Sequence, residues 1–238
     1  MRAEAAPDSH WVALLAGSSA ARAGAVLEEA RGDRALYRHL ARKHREAGRP
    51  SYGEIDAPLE LYAIARMVRP RQVVEVGVSS GVSSAYLLAA LDRNRRGVLH
   101  SVDRPSRPPP KRPQGRPLGP SWAIPEGEGS GWAVPARLRR RWDLRIGDKR
   151  DLLPRLAEEL DRVDLFVYDV PHDDRDAARE FRAIDRRFGI GSVAIADHGP
   201  GGGLCPSLRG WAHRRGATPH QCQDLGLYGF RSLQDGPA

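Results

Sequence analysis

Residues 73–86 read Val73-Val74-Glu75-Val76-Gly77-Val78-Ser79-Ser80-Gly81-Val82-Ser83-Ser84-Ala85-Tyr86. The opening run is short and β-branched, as expected of a strand buried on both faces of a parallel sheet. Two glycines then bracket a bend, and Ser83–Leu91 reads as a helix. Glycine permits φ > 0 and lets a ligand come close to the backbone. The spacing is Gly-x-x-x-Gly. A dinucleotide fingerprint is Gly-x-Gly-x-x-Gly, with a pyrophosphate on the helix N-terminus. The middle glycine is missing here, and Glu75 would repel a pyrophosphate. An acid at that point suits a cationic ligand group, such as an ammonium.

Outward from this turn the pattern alternates. Strands are expected at Gln72–Val76, Gly97–Asp103, Trp142–Ile146, Val163–Asp169, Ser192–Asp197 and Leu227–Arg231, and helices at Leu152–Leu160, Asp173–Arg187 and Leu208–Arg215. Such alternation predicts an α/β fold, a mostly parallel sheet with helices on both faces. Residues 1–57 read as a helical N-terminal region, with Ser9 as a cap, and residues 58–238 as the main domain. Asp56 stands two residues before Pro58, the pattern of a capped helix start. Residues 104–141 form a Pro- and Arg-rich insertion, and proline bars regular structure throughout it. Its basic run is Arg104, Arg107, Lys111, Arg112 and Arg116, read as either an anion-capturing arm or a solvated loop.

In open α/β sheets ligands bind at the carboxyl ends of the strands. The second strand ends in Asp103, where an acid can accept from both hydroxyls of a ribose. The third runs into Gly147-Asp148, where Asp148 can accept from an adenine amino group. A lone Asp after a strand is commonly a turn or cap residue, but the three features fall in register after successive strands.

Composition narrows the classes. The net charge is +8 and the pI about 10.1. Nearly all the basic residues are Arg in an Ala- and Gly-rich chain, a bias that a GC-rich genome produces, so nucleic-acid binding is disfavoured. No segment approaches the roughly 18 uninterrupted apolar residues of a membrane span. Met1-Arg2-Ala3-Glu4 lacks the basic-then-apolar start of a signal peptide. Cys205 and Cys222 are expected as free thiols, and the protein as cytoplasmic. Homo-oligomerisation is left open.

The run Val73–Asp103 closely resembles class I S-adenosylmethionine (SAM)-dependent methyltransferases, and more narrowly the bacterial group called methyltransferase family 24. Two further stretches support the resemblance: Gly131-Trp132-Ala133-Val134-Pro135 through Gly147-Asp148-Lys149-Arg150-Asp151-Leu152-Leu153-Pro154, and Val163-Asp164-Leu165-Phe166-Val167-Tyr168-Asp169-Val170-Pro171-His172. It implies a Rossmann-like fold with SAM as cofactor. It also implies that Glu75, Gly77, Val78, Ser79, Gly81, Ser83 and Ser84 line the methionine and ribose side. Asp103 would hold the ribose, Asp148 would face the adenine, and Asp169 would lie near the methyl group.

Methyl transfer to an alcohol also requires loss of a proton, to a base or with the help of a divalent ion. Asp169, His172 and His198 are the candidate catalytic groups. Asp169, Asp197 and His198 are a candidate metal set, and the two devices stay open. In metal-dependent relatives the resemblance implies Mg²⁺. His198 stands where they usually carry Asp or Asn, and Mg²⁺ prefers oxygen, so Mn²⁺, Fe²⁺ or Zn²⁺ would suit imidazole better. Tyr168 is a second departure, since close relatives often carry His. Trp122, Trp132 and Trp211 could floor a pocket or fill the core. Gly199-Pro200-Gly201-Gly202-Gly203 reads as a rim or a linker. The expected activity is O-methylation of a small-molecule acceptor in specialised metabolism or glycan tailoring. The alternatives are an N-methyltransferase on an amine or peptide, a SAM- or RNA-binding module without turnover, and a nicotinamide enzyme.

Overall fold

The computed structural model describes residues 7–48, 57–104, 124–170, 173–197, 203–223 and 226–235. Among them, four helices precede the first strand: α1 (Ser9–Ala16), α2 (Ala20–Gly32), α3 (Arg34–Glu46) and α4 (Pro58–Val68). Strands and helices then alternate through β1 (Gln72–Val76), α5 (Val82–Asn94), β2 (Val98–Asp103), β3 (Trp142–Ile146), α6 (Lys149–Glu159), β4 (Val163–Tyr168), α7 (Asp174–Asp185), β5 (Phe188–Ala196) and α8 (Pro206–Arg214). A 3₁₀ turn over Ala136–Arg141 leads into β3, and β6 (His220–Gln221) and β7 (Tyr228–Arg231) close the chain.

The sheet order is β3-β2-β1-β4-β5-β7-β6. Strands β1 to β5 run parallel, β7 is antiparallel to β5, and β6 pairs antiparallel with β7. The chain winds outward from β1 to β3, then returns to β4 on the other side. The reversal between β1 and β4 opens a crevice at their carboxyl ends.

Strand alternation sends successive side chains to opposite layers. Val73, Leu99, Leu165, Val167, Val193 and Ile195 join the core shared with α1–α5. Val74, Val76, Phe166, Tyr168, Ala194 and Ala196 join the core shared with α6–α8. Trp211 is fully buried in the second core, 5.2 Å from Phe181 and 4.7 Å from Phe188, so it fills the interior rather than flooring a pocket. Both cysteines are free and buried.

Several details differ from the expectation. Asp8, not Ser9, caps α1, its Oδ1 accepting from Trp11 N at 2.9 Å. Asp148 caps α6 and starts it at Lys149, one turn earlier than the apolar pattern suggests. β5 begins at Phe188, where glycines and Ser192 hide the strand from a hydrophobicity reading. Asp56, Trp122, Arg107, Lys111, Arg112, Arg116 and Gly199–Gly202 lie outside the described residues. No helix among the described residues is long and apolar enough to cross a membrane.

Candidate cofactor and active site

The bend after β1 has three residues at positive φ: Gly77 (+94°), Ser79 (+52°) and Gly81 (+93°). A Cβ on Gly77 would lie 1.9 Å from the Asp169 carbonyl oxygen, so β4's end packs directly on the turn. A Cβ on Gly81 would meet Val134 Cγ2 at 2.5 Å and Gly131 Cα at 2.8 Å. Both glycines are therefore required by neighbouring protein, a tighter constraint than ligand access alone. Ser79 is not glycine and still adopts the left-handed region. Its hydroxyl is shielded from water and has no hydrogen-bond partner in the structure. Strain and an orphaned polar atom at one residue mark a functional position. The first turn of α5 begins at Gly81 without a side-chain cap, leaving its amides to a ligand carboxylate or to water.

Glu75 departs from its expected role. Alternation turns it toward α5, where it is completely buried. Ser83 Oγ donates to its Oε1 at 2.7 Å, Ser84 Oγ to its Oε2 at 2.7 Å and Ser101 Oγ to its Oε2 at 2.6 Å. Burial pushes the Glu75 carboxyl up, and the three hydroxyls oppose the shift. Glu75, Ser83 and Ser84 thus fasten α5 to β1 and β2 from inside, rather than lining the ligand. Three serines facing one strand acid were the signal, visible only once strand and helix faces are assigned.

Asp103 closes β2 beside the turn. Its Oδ1 accepts from Val78 N at 3.3 Å, and its Oδ2 from the Ser130 hydroxyl. Burial pushes its carboxyl up, against the hydrogen bond from Ser130. Val78 is buried and contributes backbone only. Asp148 takes the capping role: Oδ1 accepts from Arg150 N at 2.9 Å, and Oδ2 pairs with Arg104 at 2.6 Å. The Arg150 amide and the Arg104 guanidinium hold this carboxyl below its usual range. An adenine amino group would have to share an oxygen already bonded. Arg104, the first residue of the basic run read as either an anion-capturing arm or a solvated loop, pairs with Asp148.

Asp169 and Asp197 come side by side as expected. Asp169 N donates to Val76 O and Asp197 N to Tyr168 O, both at 2.9 Å, so each acid extends its strand by one step on neighbouring strands. His172 and His198 lie outside the described residues. Among the described residues no three His, Cys, Asp or Glu side chains group as a metal site would need. Tyr168 is fully buried on the α7 side, its hydroxyl donating to Glu180. Lys149 Nζ donates to Tyr168 Oη and lies against Glu180 Oε2, each at 3.0 Å. Burial and Glu180 push the phenol up. Tyr168 therefore holds α6, β4 and α7 together beneath Asp169.

The sequence reads α3 as part of a helical region and residues 131–135 as part of the resemblance, but it does not show that the two meet beside the turn. Gly131 N donates to Ser79 O at 2.9 Å and Ala133 N to Ser80 O at 3.0 Å. His44 of α3 donates from Nδ1 to Leu40 O (2.8 Å), which fixes the proton there, so Ser80 Oγ donates to Nε2 (3.1 Å). The segment thus forms a wall beside the turn. Its only signal was Gly131-Trp132 within the resemblance.

A family model described as a methyltransferase domain matches residues 74–198. Solved structures share the fold. The O-methyltransferase TomG from Streptomyces achromogenes, involved in tomaymycin synthesis and solved with SAM, superposes with a TM-score of 0.57 at 19% identity, covering 85% of this chain and 90% of that one. The O-methyltransferase from Bacillus cereus, solved with SAH, gives 0.57 at 14% identity, covering 84% and 91%. CalS11, a calicheamicin methyltransferase, gives 0.53 at 18% identity, covering 75% and 79%. None of the curated proteins compared matches the chain.

Proposed function

The chain belongs to the methyltransferase-domain family, and from that premise we propose that it methylates an oxygen of a small-molecule acceptor with SAM, in the cytoplasm. The observation that carries the reading is the turn at Gly77–Gly81, with an orphaned hydroxyl on strained Ser79 and the Asp103 carboxylate beside it. SAM, when bound, supplies a methyl group on a sulfonium. Asp103 would accept from the ribose hydroxyls, and the uncapped first turn of α5 would meet the amino-acid carboxylate. Gly77 and Gly81 keep the bend compact. Fixing two reactants in line lowers a barrier by about 7–11 kcal/mol. Asp169 and Asp197 stand on the neighbouring strand ends, where one of the two carboxylates would take the proton of an acceptor hydroxyl as the methyl group is transferred. A divalent ion bound there would be held by these two carboxylates and His198, and would acidify the hydroxyl. The like-folded TomG, CalS11 and Bacillus cereus enzymes favour an oxygen acceptor and a place in natural-product or glycan tailoring.

Calorimetric titration with SAH and, separately, NAD tests the reading. Micromolar binding of SAH and none of NAD is expected. Binding of NAD in preference would overturn it.

A further inference from the structure

We propose that Ser130 is an additional cofactor-site residue, which fixes the Asp103 carboxylate for a ribose diol and so sets a preference for ribonucleosides over deoxyribonucleosides. The inference rests on the reading above that Asp103 meets the sugar of SAM.

The terminal torsion of an aspartate is broad, with two equivalent oxygens. From the backbone, Val78 N makes one long hydrogen bond at 3.3 Å and the Ser79 and Arg104 amides act more weakly, so these groups alone hold the Asp103 carboxylate loosely. Ser130 adds a donor from a different part of the chain, and its side chain is itself buried. Val78 N and the Ser130 hydroxyl act on different oxygens, which fixes the plane. Each oxygen has two lone pairs, so acceptor capacity remains for sugar hydroxyls. Donation from Ser130 also opposes the upward push of burial on this carboxyl, which favours the ionised acceptor.

Ser130 is not free to lift away. The next residue, Gly131, has φ +71°, and a Cβ there would lie 2.0 Å from the Trp142 ring. Gly131 N and Ala133 N are bonded to the carbonyls of Ser79 and Ser80. Trp132 lies 5.1 Å from the His44 ring, with Lys43 Nζ 5.8 Å from its own ring centre. His39 Nε2 donates to Ala133 O at 3.2 Å. The wall is gripped by the glycine turn on one side and by α3 on the other. Ser130 therefore acts as a fixed partner of Asp103 rather than as a gate that competes with the sugar.

A held carboxylate that expects two hydroxyls is left with unmet acceptor capacity when one is missing, and a site built this way rejects the deoxy analogue. A carboxylate free to rotate turns to water instead and rejects it less. The test is competition calorimetry on the full chain. SAH is the reference ligand, with adenosine, 2′-deoxyadenosine, 3′-deoxyadenosine and adenine as displacers. Ser130→Ala is expected to weaken SAH and adenosine about tenfold, the worth of one hydrogen bond to a charged group. Adenine affinity should stay unchanged, and the adenosine-to-deoxyadenosine ratio should shrink. Ser130→Thr keeps the hydroxyl and should restore both. The ratio is taken within each variant, so a loss of folded fraction cancels. An unchanged ratio, an equal loss for adenine, or tighter SAH binding in Ser130→Ala overturns the proposal. A wild-type chain that binds no SAH overturns the function itself.

Discussion

At Gly77 the backbone turns with φ +94° against the carbonyl of Asp169, the first residue past β4. A methyl group there meets that oxygen at 1.9 Å and Val170 Cγ1 at 2.8 Å. The left-handed conformation costs a non-glycine residue about 1–2 kcal/mol, and overpacking adds about 1–3 kcal/mol. Gly77→Ala should therefore destabilise the fold by about 2–5 kcal/mol, read as a lower denaturation midpoint in urea without any ligand. An unchanged midpoint with lost SAH affinity would mean that the glycine serves only the ligand. Glycines at a bend are legible in a sequence, but what presses on them is not. The direction of Glu75 was hidden for the same reason. Its place before the turn suggests a ligand, and only the strand's alternation, with Val74 and Val76 on the other face, sends it inward among Ser83, Ser84 and Ser101.

Between elements, the joint of α7, β5 and α8 depends on one buried ion pair. Arg215 follows α8 and is 1% exposed. Its Nε donates to Asp185 Oδ1 at 2.8 Å, and its Nη1 to Phe188 O at 2.8 Å. Trp211 Nε1 donates to the same Asp185 oxygen at 2.5 Å. Asp185 ends α7, Phe188 starts β5, and Trp211 lies on α8, so this cluster sets how the last two α/β units meet. Removing one partner of such a pair leaves a buried charge and typically costs about 3–5 kcal/mol. Arg215→Met should lose that amount in urea unfolding, and the double change Arg215→Met/Asp185→Leu should recover most of it. Additive losses would mean that the two groups do not act as a pair. Most element bounds were legible from apolar period, because burial writes itself into the alternation of Val, Leu and Ile. The exceptions lie where polar or glycine-rich sequence is held by long-range partners. β5 starts early because Ser192 donates to Val163 O, and Ile190 N bonds to Asp235. β6 is two exposed residues, His220 and Gln221, carried by β7.

At the scale of the molecule, the first helix and the last strand are one joint. Gly229 of β7 is where α1 rests: a Cβ there would lie 2.6 Å from Leu15 Cδ1 and 3.2 Å from Trp11 Cζ2. Trp11 Nε1 donates to His220 O at 2.9 Å, and Gln223 N to Asp8 Oδ2 at 3.0 Å. Asp8 N in turn donates to Glu60 Oε1 at 3.0 Å, tying α1 to α4. Contacts across more than 200 residues leave no local pattern, so a division at residue 57 is natural from sequence, yet α1, α2 and α3 share a core with α4, α5 and the sheet. A chain of residues 58–238 would uncover Leu61, Tyr62 and Ile64 on α4 along with the β7 seat. Each large apolar side chain left in water forfeits about 1.5–3 kcal/mol, against a net stability of about 5–15 kcal/mol for a whole domain. The loss also reaches ligand binding, because α3 grips the wall beside the glycine turn through His39 and His44. We expect residues 58–238 to show helical far-ultraviolet dichroism without a cooperative melt, and no SAH binding. A cooperative melt at the full chain's temperature, with SAH affinity retained, would make the N-terminal helices an accessory and confine the fold to the alternating half of the sequence.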